Sequence, residues 1–109
     1  MHELGIARGI VRICAEHAGG ARVARVRLEI GQLAAVLPDA VRFCFDVCAR
    51  QTVLEGAALD IIETRGWARC LDCGGELALP RLAGRCACGS ANLRVIAGEE
   101  LRIRDMELA

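Results

Sequence analysis

The sequence predicts a small mixed α/β (α+β) fold: a three-stranded sheet with two helices on one face, plus an inserted four-cysteine subdomain. Three observations predict it. Apolar residues recur at helical spacing over residues 3–18 and again from Pro38. They alternate with charged residues over residues 22–30. Cys70, Cys73, Cys86 and Cys88 fall in a stretch rich in Gly and Arg, with too few large apolar groups to fold unaided.

The first helix covers residues 3–18. Ile6, Ala7, Ile10, Val11, Ile13 and Cys14 form its apolar face, with Arg8, Arg12 and Glu16 on the wet one. Gly19-Gly20 ends it, because glycine accepts the left-handed conformation of a C-cap. Gly5 and Gly9 lower its helicity, so packing must hold it. The strand at 22–30 turns Ala24, Val26, Leu28 and Ile30 one way, and Arg25, Arg27 and Glu29 toward solvent. Pro38-Asp39 opens a second helix that runs to about Arg50, with Val41, Cys44, Phe45 and Cys48 on its core side. Glu55-Gly56 turns into a strand near Leu59–Glu63. After the cysteine segment, Gly98-Glu99-Glu100 leads into a last strand from Leu101. Leu101 and Ile103 keep one phase, Met106 and Leu108 the other, which calls for a bulge or bend between them. The expected division is an α/β domain of residues 1–65 and 98–109 and a cysteine subdomain of 66–97, anchored by Trp67.

Composition narrows the function. Of 109 residues, 54% are hydrophobic but only 3% aromatic, so the core is aliphatic and large stacking platforms are excluded. Fourteen basic and 14 acidic residues cancel, leaving no global field toward nucleic acid or an anionic membrane. Every basic residue other than His is Arg, which excludes Lys-dependent phosphate loops and Schiff-base catalysis. No stretch approaches the roughly 20 apolar residues of a membrane span. Met1-His2-Glu3-Leu4 carries an acid where a signal peptide carries positive charge. The expectation is a cytoplasmic protein with no membrane or nucleic-acid partner. In a reducing compartment, seven cysteines point to metal binding or burial rather than disulfides.

Cys70-Leu71-Asp72-Cys73 and Cys86-Ala87-Cys88-Gly89 carry the first chemistry. Four thiolates suit tetrahedral Zn(II), and Gly74-Gly75 and Gly89 supply the turns that aim paired sulfurs at one ion. Such a closed site is structural, and metal binding and local folding are one event. The competing reading is a redox dithiol, weakened because no His or Lys stands near to exchange protons.

The amino terminus carries the second. The Met1 amine, the His2 backbone nitrogen and the His2 imidazole close adjoining chelate rings, and the Glu3 backbone nitrogen supplies a fourth donor. Four nitrogens in a plane suit Ni(II) or Cu(II) better than Zn(II). The plain alternative is a terminal histidine without a ligand role, followed by Glu3 as a helix N-terminal acid.

Together these motifs resemble the HypA/HybF family of hydrogenase-maturation nickel chaperones. The resemblance rests on Met1-His2-Glu3-Leu4 opening a helix, on the late four-cysteine cluster, and on Val26-Arg27-Leu28-Glu29-Ile30-Gly31, Phe43-Cys44-Phe45-Asp46, Glu55-Gly56-Ala57-Ala58-Leu59 and Gly98-Glu99-Glu100-Leu101-Arg102-Ile103. It implies a transient Ni(II) site at Met1, His2 and Glu3, and a structural Zn(II) site at Cys70, Cys73, Cys86 and Cys88 in a zinc-ribbon-like insert. It also implies a non-enzymatic carrier that works with a GTPase partner and delivers nickel to the [NiFe]-hydrogenase large subunit, as a monomer or weak homodimer. The second cysteine pair departs from the family pattern, with one intervening residue, Ala87, where two are usual.

Cys14, Cys44 and Cys48 read as small core residues, His17 as a favourable cation near a helix end, and Arg81 and Arg85 as solvated loop residues. A zinc-ribbon nucleic-acid module is the rival function, supported by the insert alone and opposed by the balanced charge. A thiol oxidoreductase is a third.

Overall fold

The computed structural model describes residues 2–109; Met1 lies outside the described residues. In chain order the elements are α1 (Glu3–Ala18), β1 (Val23–Gly31), α2 (Pro38–Ala49), β2 (Ala58–Thr64), β3 (Trp67–Cys70), β4 (Glu76–Ala78), β5 (Leu93–Ala97) and β6 (Leu101–Leu108). They form two three-stranded sheets, ordered β2-β1-β6 and β4-β3-β5. This is the mixed α/β architecture read from the sequence, with a second sheet added. No helix among the described residues is long and apolar enough to cross a membrane.

The chain divides into two compact units. The first runs through Leu28 and adds Val36–Ile62 and Arg102–Ala109; the second is Glu29–Ala35 with Glu63–Leu101.

In the first unit α1 packs on α2. Ala7, Ile10, Val11, Cys14 and Ala18 of α1 are buried, as are Val41, Phe45 and Ala49 of α2. Each set repeats every three or four residues, so burial falls on one stripe of each helix. Gly19 ends α1 in the left-handed conformation at φ 58°. No glycine ends α2. Gln51 takes φ 63° instead, and the Thr52 hydroxyl donates to the Ala49 carbonyl at 2.7 Å. Val26 and Leu28 bury the inner face of β1. The outer face is laced with ion pairs. Arg25 meets Asp60 of β2 at 2.8 Å, and Arg27 meets Asp105 and Glu107 of β6 at 2.7 and 2.5 Å. Half-exposed pairs of this kind contribute little stability individually.

Two strand assignments change. Ala24 is exposed while Val23 is buried, so strict alternation with Val26 and Leu28 breaks at the start of β1, where Val23 N–H donates to the Val53 carbonyl at 2.9 Å. Glu29, expected in solvent, is only 7% exposed, and it is the residue at which β1 passes into the second unit. In β6, Ile103 and Met106 are both half-buried three residues apart, out of simple alternation, as the phase change in the sequence anticipates.

The second unit holds the main difference from expectation, for residues 66–97 contain three strands that the sequence reading leaves unassigned. In the antiparallel sheet β4-β3-β5, Arg69 lies opposite Glu76 and Arg94. Its core is Leu33, Ala68 and Leu79, flanked by Leu77, Leu93 and Val95. Leu33 comes from outside the insert, so the insert completes its core with residues 29–35. The Gly66 N–H donates to Gln32 Oε1 at 2.9 Å and the Leu33 N–H to the Gly98 carbonyl at 2.7 Å. Trp67 does not anchor this unit. It is 37% exposed, with the Arg65 guanidinium 5.8 Å from its ring centroid, while its neighbour Ala68 is fully buried. Strand alternation turns adjacent side chains to opposite faces, and β3 spends its inner position on Ala68.

Candidate metal centre

The four insert cysteines converge. Their sulfurs all lie within 4.8 Å of one another, with Cys70–Cys88 at 3.6 Å and Cys73–Cys86 at 3.5 Å. Sulfurs placed 2.3 Å from a tetrahedral Zn(II) stand about 3.8 Å apart. The cluster is close to that spacing and far from a disulfide, and all four thiols are free.

Each pair sits on a tight backbone turn. Cys70 ends β3, donates its N–H to the Gly75 carbonyl at 2.8 Å and accepts from Gly74 N–H at 2.9 Å. Gly74 takes φ 79°, open to glycine without strain. The Gly75 N–H then points at Cys73 Sγ, 3.4 Å away. The second turn is built alike in spite of its shorter spacing. Gly89, at φ 91°, donates to the Cys86 carbonyl, and Cys86 N–H to the Ser90 carbonyl, both at 2.8 Å. The two turns are cross-braced. The Ser90 hydroxyl donates to Asp72 and Leu71 N–H donates to the Asn92 carbonyl at 2.9 Å, while within the second turn Arg85 donates to the Gly89 carbonyl at 3.0 Å. Sequence reasoning missed this bracing, since Ser90, Asn92 and Asp72 signal nothing until the turns are in place. It also gives Arg85 a job other than loop solvation.

Electrostatics favour a cation at the cluster. The backbone N–H of Cys73, with those of Asp72 and neighbouring thiols, draws the Cys70 thiol down to about 6. At Cys88 the Ser90 amide also pulls down, but the thiols of Cys70 and Cys86 outweigh it and push Cys88 up to about 12. At Cys73 the Gly75 amide lowers and the thiols of Cys86 and Cys70 raise, with a net rise. One thiolate is therefore well supported and suppresses ionisation of its neighbours. Only a positive ion relieves the repulsion among four thiolates.

At the other end of the chain His2 is exposed and forms the N-cap of α1, with no side-chain capping bond. Its carbonyl accepts the first helical bond, from Ile6 N–H at 2.9 Å. The ladder therefore makes no use of the backbone nitrogens of His2 and Glu3. The Glu3 carboxylate is turned inward. The residue is 7% exposed and takes the Leu37 N–H, ahead of α2, at 3.2 Å. Met1, the other expected nickel ligand, lies outside the described residues. Among the remaining candidates, Cys14 is 2% exposed and Cys44 and Cys48 are half-buried. His17 Nδ1 pairs with the Ile13 carbonyl at 2.8 Å.

The fold and sulfur cluster define a small two-unit protein equipped to hold a metal ion. Comparison with known proteins agrees. Residues 1–108 match the family model described as hydrogenase/urease nickel incorporation, metallochaperone, HypA. The chain is 56% identical over 108 residues to the hydrogenase maturation factor HypA of Nostoc punctiforme, covering 99% of this chain and 96% of that protein. It is 47% identical over 109 residues to the HypA of Geobacter metallireducens, covering 99% of each. The solution structure of the Ni metallochaperone HypA from Helicobacter pylori superposes with a TM-score of 0.69 at 27% identity, over 99% of this chain and 97% of that one. The chain belongs to the HypA family of nickel metallochaperones for hydrogenase maturation.

Proposed function

We propose that this protein binds Ni(II) through Met1, His2 and Glu3 and passes it to the large subunit of a [NiFe]-hydrogenase, together with a GTPase of the same maturation pathway. Cys70, Cys73, Cys86 and Cys88 hold a resident Zn(II) that keeps the insert folded. In this reading residues 1–65 and 98–109 are the nickel-binding part and 66–97 the zinc-binding part, and the chain is a cytoplasmic carrier rather than a catalyst.

The observation that carries the reading is the separation of two donor sets of opposite character. The sulfur set supplies all four donors of a tetrahedral site, with Cys70 buried. A closed thiolate tetrahedron leaves no open position and holds its ion. The nitrogen set starts at an exposed His2 at the tip of a helix. An acceptor reaches such a site from solvent and displaces one nitrogen at a time. Protonation of the imidazole or amides also releases the ion. The Glu3 carboxylate, tied to the Leu37 amide, holds the first turn in place behind the ligands.

Metal stoichiometry tests this. Zinc-loaded wild type is expected to take up Ni(II), and His2→Ala to lose that uptake while keeping its zinc and its circular dichroism spectrum. Undiminished nickel affinity in His2→Ala overturns the assignment.

A further inference from the structure

One pocket of the first unit gathers donors of a different kind from the sulfur cluster. It has a volume of about 260 Å³ and lies between α1 and β6, lined by Ile13, Cys14 and His17 of the helix and by Ile103, Asp105 and Met106 of the strand. All six belong to one compact unit. Cys14 and His17 stand three apart on α1, and helix geometry makes such residues neighbours. Strict alternation would send Ile103 and Met106 to opposite faces of β6. The irregular phase of β6 half-buries both instead, which brings a thioether to the same pocket as the thiol and the imidazole. His17 Nδ1 meets the Ile13 carbonyl at 2.8 Å. A carbonyl only accepts, so Nδ1 carries the proton, and the lone pair of the neutral ring is left on Nε2. That nitrogen has no partner among the described residues. A backbone carbonyl that holds one ring nitrogen and leaves the other free is the arrangement that orients a metal-binding histidine.

We propose that this pocket binds one soft monovalent cation, Cu(I), through Cys14 Sγ, His17 Nε2 and Met106 Sδ. Thiolate and thioether donors select Cu(I), and imidazole accommodates it. Charge decides between monovalent and divalent ions. The carboxylate on the wall, Asp105, is already paired with Arg27 at 2.7 Å. When the ion enters, the Cys14 thiol gives its proton to solvent, and the thiolate cancels the single positive charge. The filled pocket is then neutral, and a neutral group costs far less to hold between Ile13 and Ile103 than a net charge does. Zn(II) or Ni(II) on the same donors would leave one uncompensated positive charge against apolar walls. The four-cysteine cluster differs on both counts, with four thiols and no thioether. The site shares no ligand with the nickel reading and does not depend on it.

Anaerobic NMR of the zinc-loaded whole chain, titrated with Cu(I), tests the site. The chain has only two methionines and two histidines, so methyl-labelled Met and 15N-labelled His give one signal for each residue. Up to one equivalent of Cu(I), the Met106 methyl and His17 Nε2 signals are expected to shift together while zinc is retained. One equivalent of Ni(II) should leave both in place. His17→Gln and Met106→Leu each remove one donor at little change in volume. Each should weaken Cu(I) binding by about tenfold or more, read by competition with a chromophoric Cu(I) chelator. Cys14→Ala should abolish both shifts, and if that variant fails to fold the other two substitutions decide. Zinc released by the first equivalent while Met106 and His17 stay unmoved overturns the proposal. So does a Cu(I) affinity indifferent to His17→Gln and Met106→Leu, or a response of both signals to Ni(II) equal to that to Cu(I).

Discussion

A Cβ built on Gly31 would lie 1.9 Å from the carbonyl oxygen of Gly98. The same oxygen accepts the Leu33 N–H at 2.7 Å. Gly98 in turn, at φ 102°, would place a Cβ 2.5 Å from Gly66 Cα. Three backbone segments of the second unit thus cross with no room for a methyl group, and all three are held by main-chain bonds that cannot lengthen independently. Gly31→Ala is therefore expected to lower the free energy of unfolding by about 2–3 kcal/mol, read from urea denaturation of the zinc-loaded protein. A loss below about 0.5 kcal/mol would show that these segments separate freely.

The helical glycines of α1 make the opposite case. A Cβ at Gly5 or Gly9 meets nothing within 4 Å, and neither has positive φ. Glycine there only adds freedom to the unfolded chain. Gly9→Ala is expected to stabilise the protein by about 0.5–1 kcal/mol, measured the same way. A destabilised Gly9→Ala would mean that this surface is filled by something other than water.

These two cases mark what the sequence makes legible. Helix α1, β1, α2 and the cysteine cluster are readable because period and spacing are local properties. The role of Leu33 is not, since a leucine in a connecting loop gives no sign of joining a core built around Ala68 and Leu79. Strands β3, β4 and β5 are short, at four, three and five residues, and each turns only one to three residues inward. Alternation over so few positions is easily masked. Trp67 misleads because size suggests burial, whereas strand alternation gives the inner position to Ala68. Glu29 misleads by following the phase of Arg25 and Arg27 at a point where β1 changes surroundings.

Cys14 gives stability a pH dependence. It is 2% exposed, and burial pushes its thiol above the ordinary value. An unfolded thiol ionises near about pH 8.5. Below that pH both states are protonated and the contribution of Cys14 is intact. As pH rises further the unfolded chain loses its proton first, so stability falls through the interval up to the folded value. Cys14→Ala lacks this loss. It should be less stable than wild type at neutral pH by about 1 kcal/mol, with the gap narrowing above about pH 9. A gap that stays constant from about pH 7 to about pH 10 contradicts a buried neutral thiol.

Metal removal should act on one unit. The second unit has a small core, with Leu33, Ala68 and Leu79 buried and Leu77, Leu93 and Val95 partly buried against them. At about 1.5–3 kcal/mol for each large apolar side chain, this cluster falls well short of the entropy of ordering more than 30 residues. The four-sulfur cluster must make up the difference, because a cation bound there is absent from the unfolded chain. The first unit relies instead on the α1–α2 core around the fully buried Phe45 and Val41. Chelation of the protein, or Cys73→Ser, is therefore expected to expose the amides of Ala68, Cys70 and Val95 to hydrogen exchange while those of Ile10, Val11 and Phe45 stay protected. Acid should do the same, because each thiolate that leaves the metal takes up a proton. Unchanged protection at Ala68 and Cys70 after the metal is stripped would mean that the insert folds on hydrophobic contacts alone, and that the cysteines are not its staple.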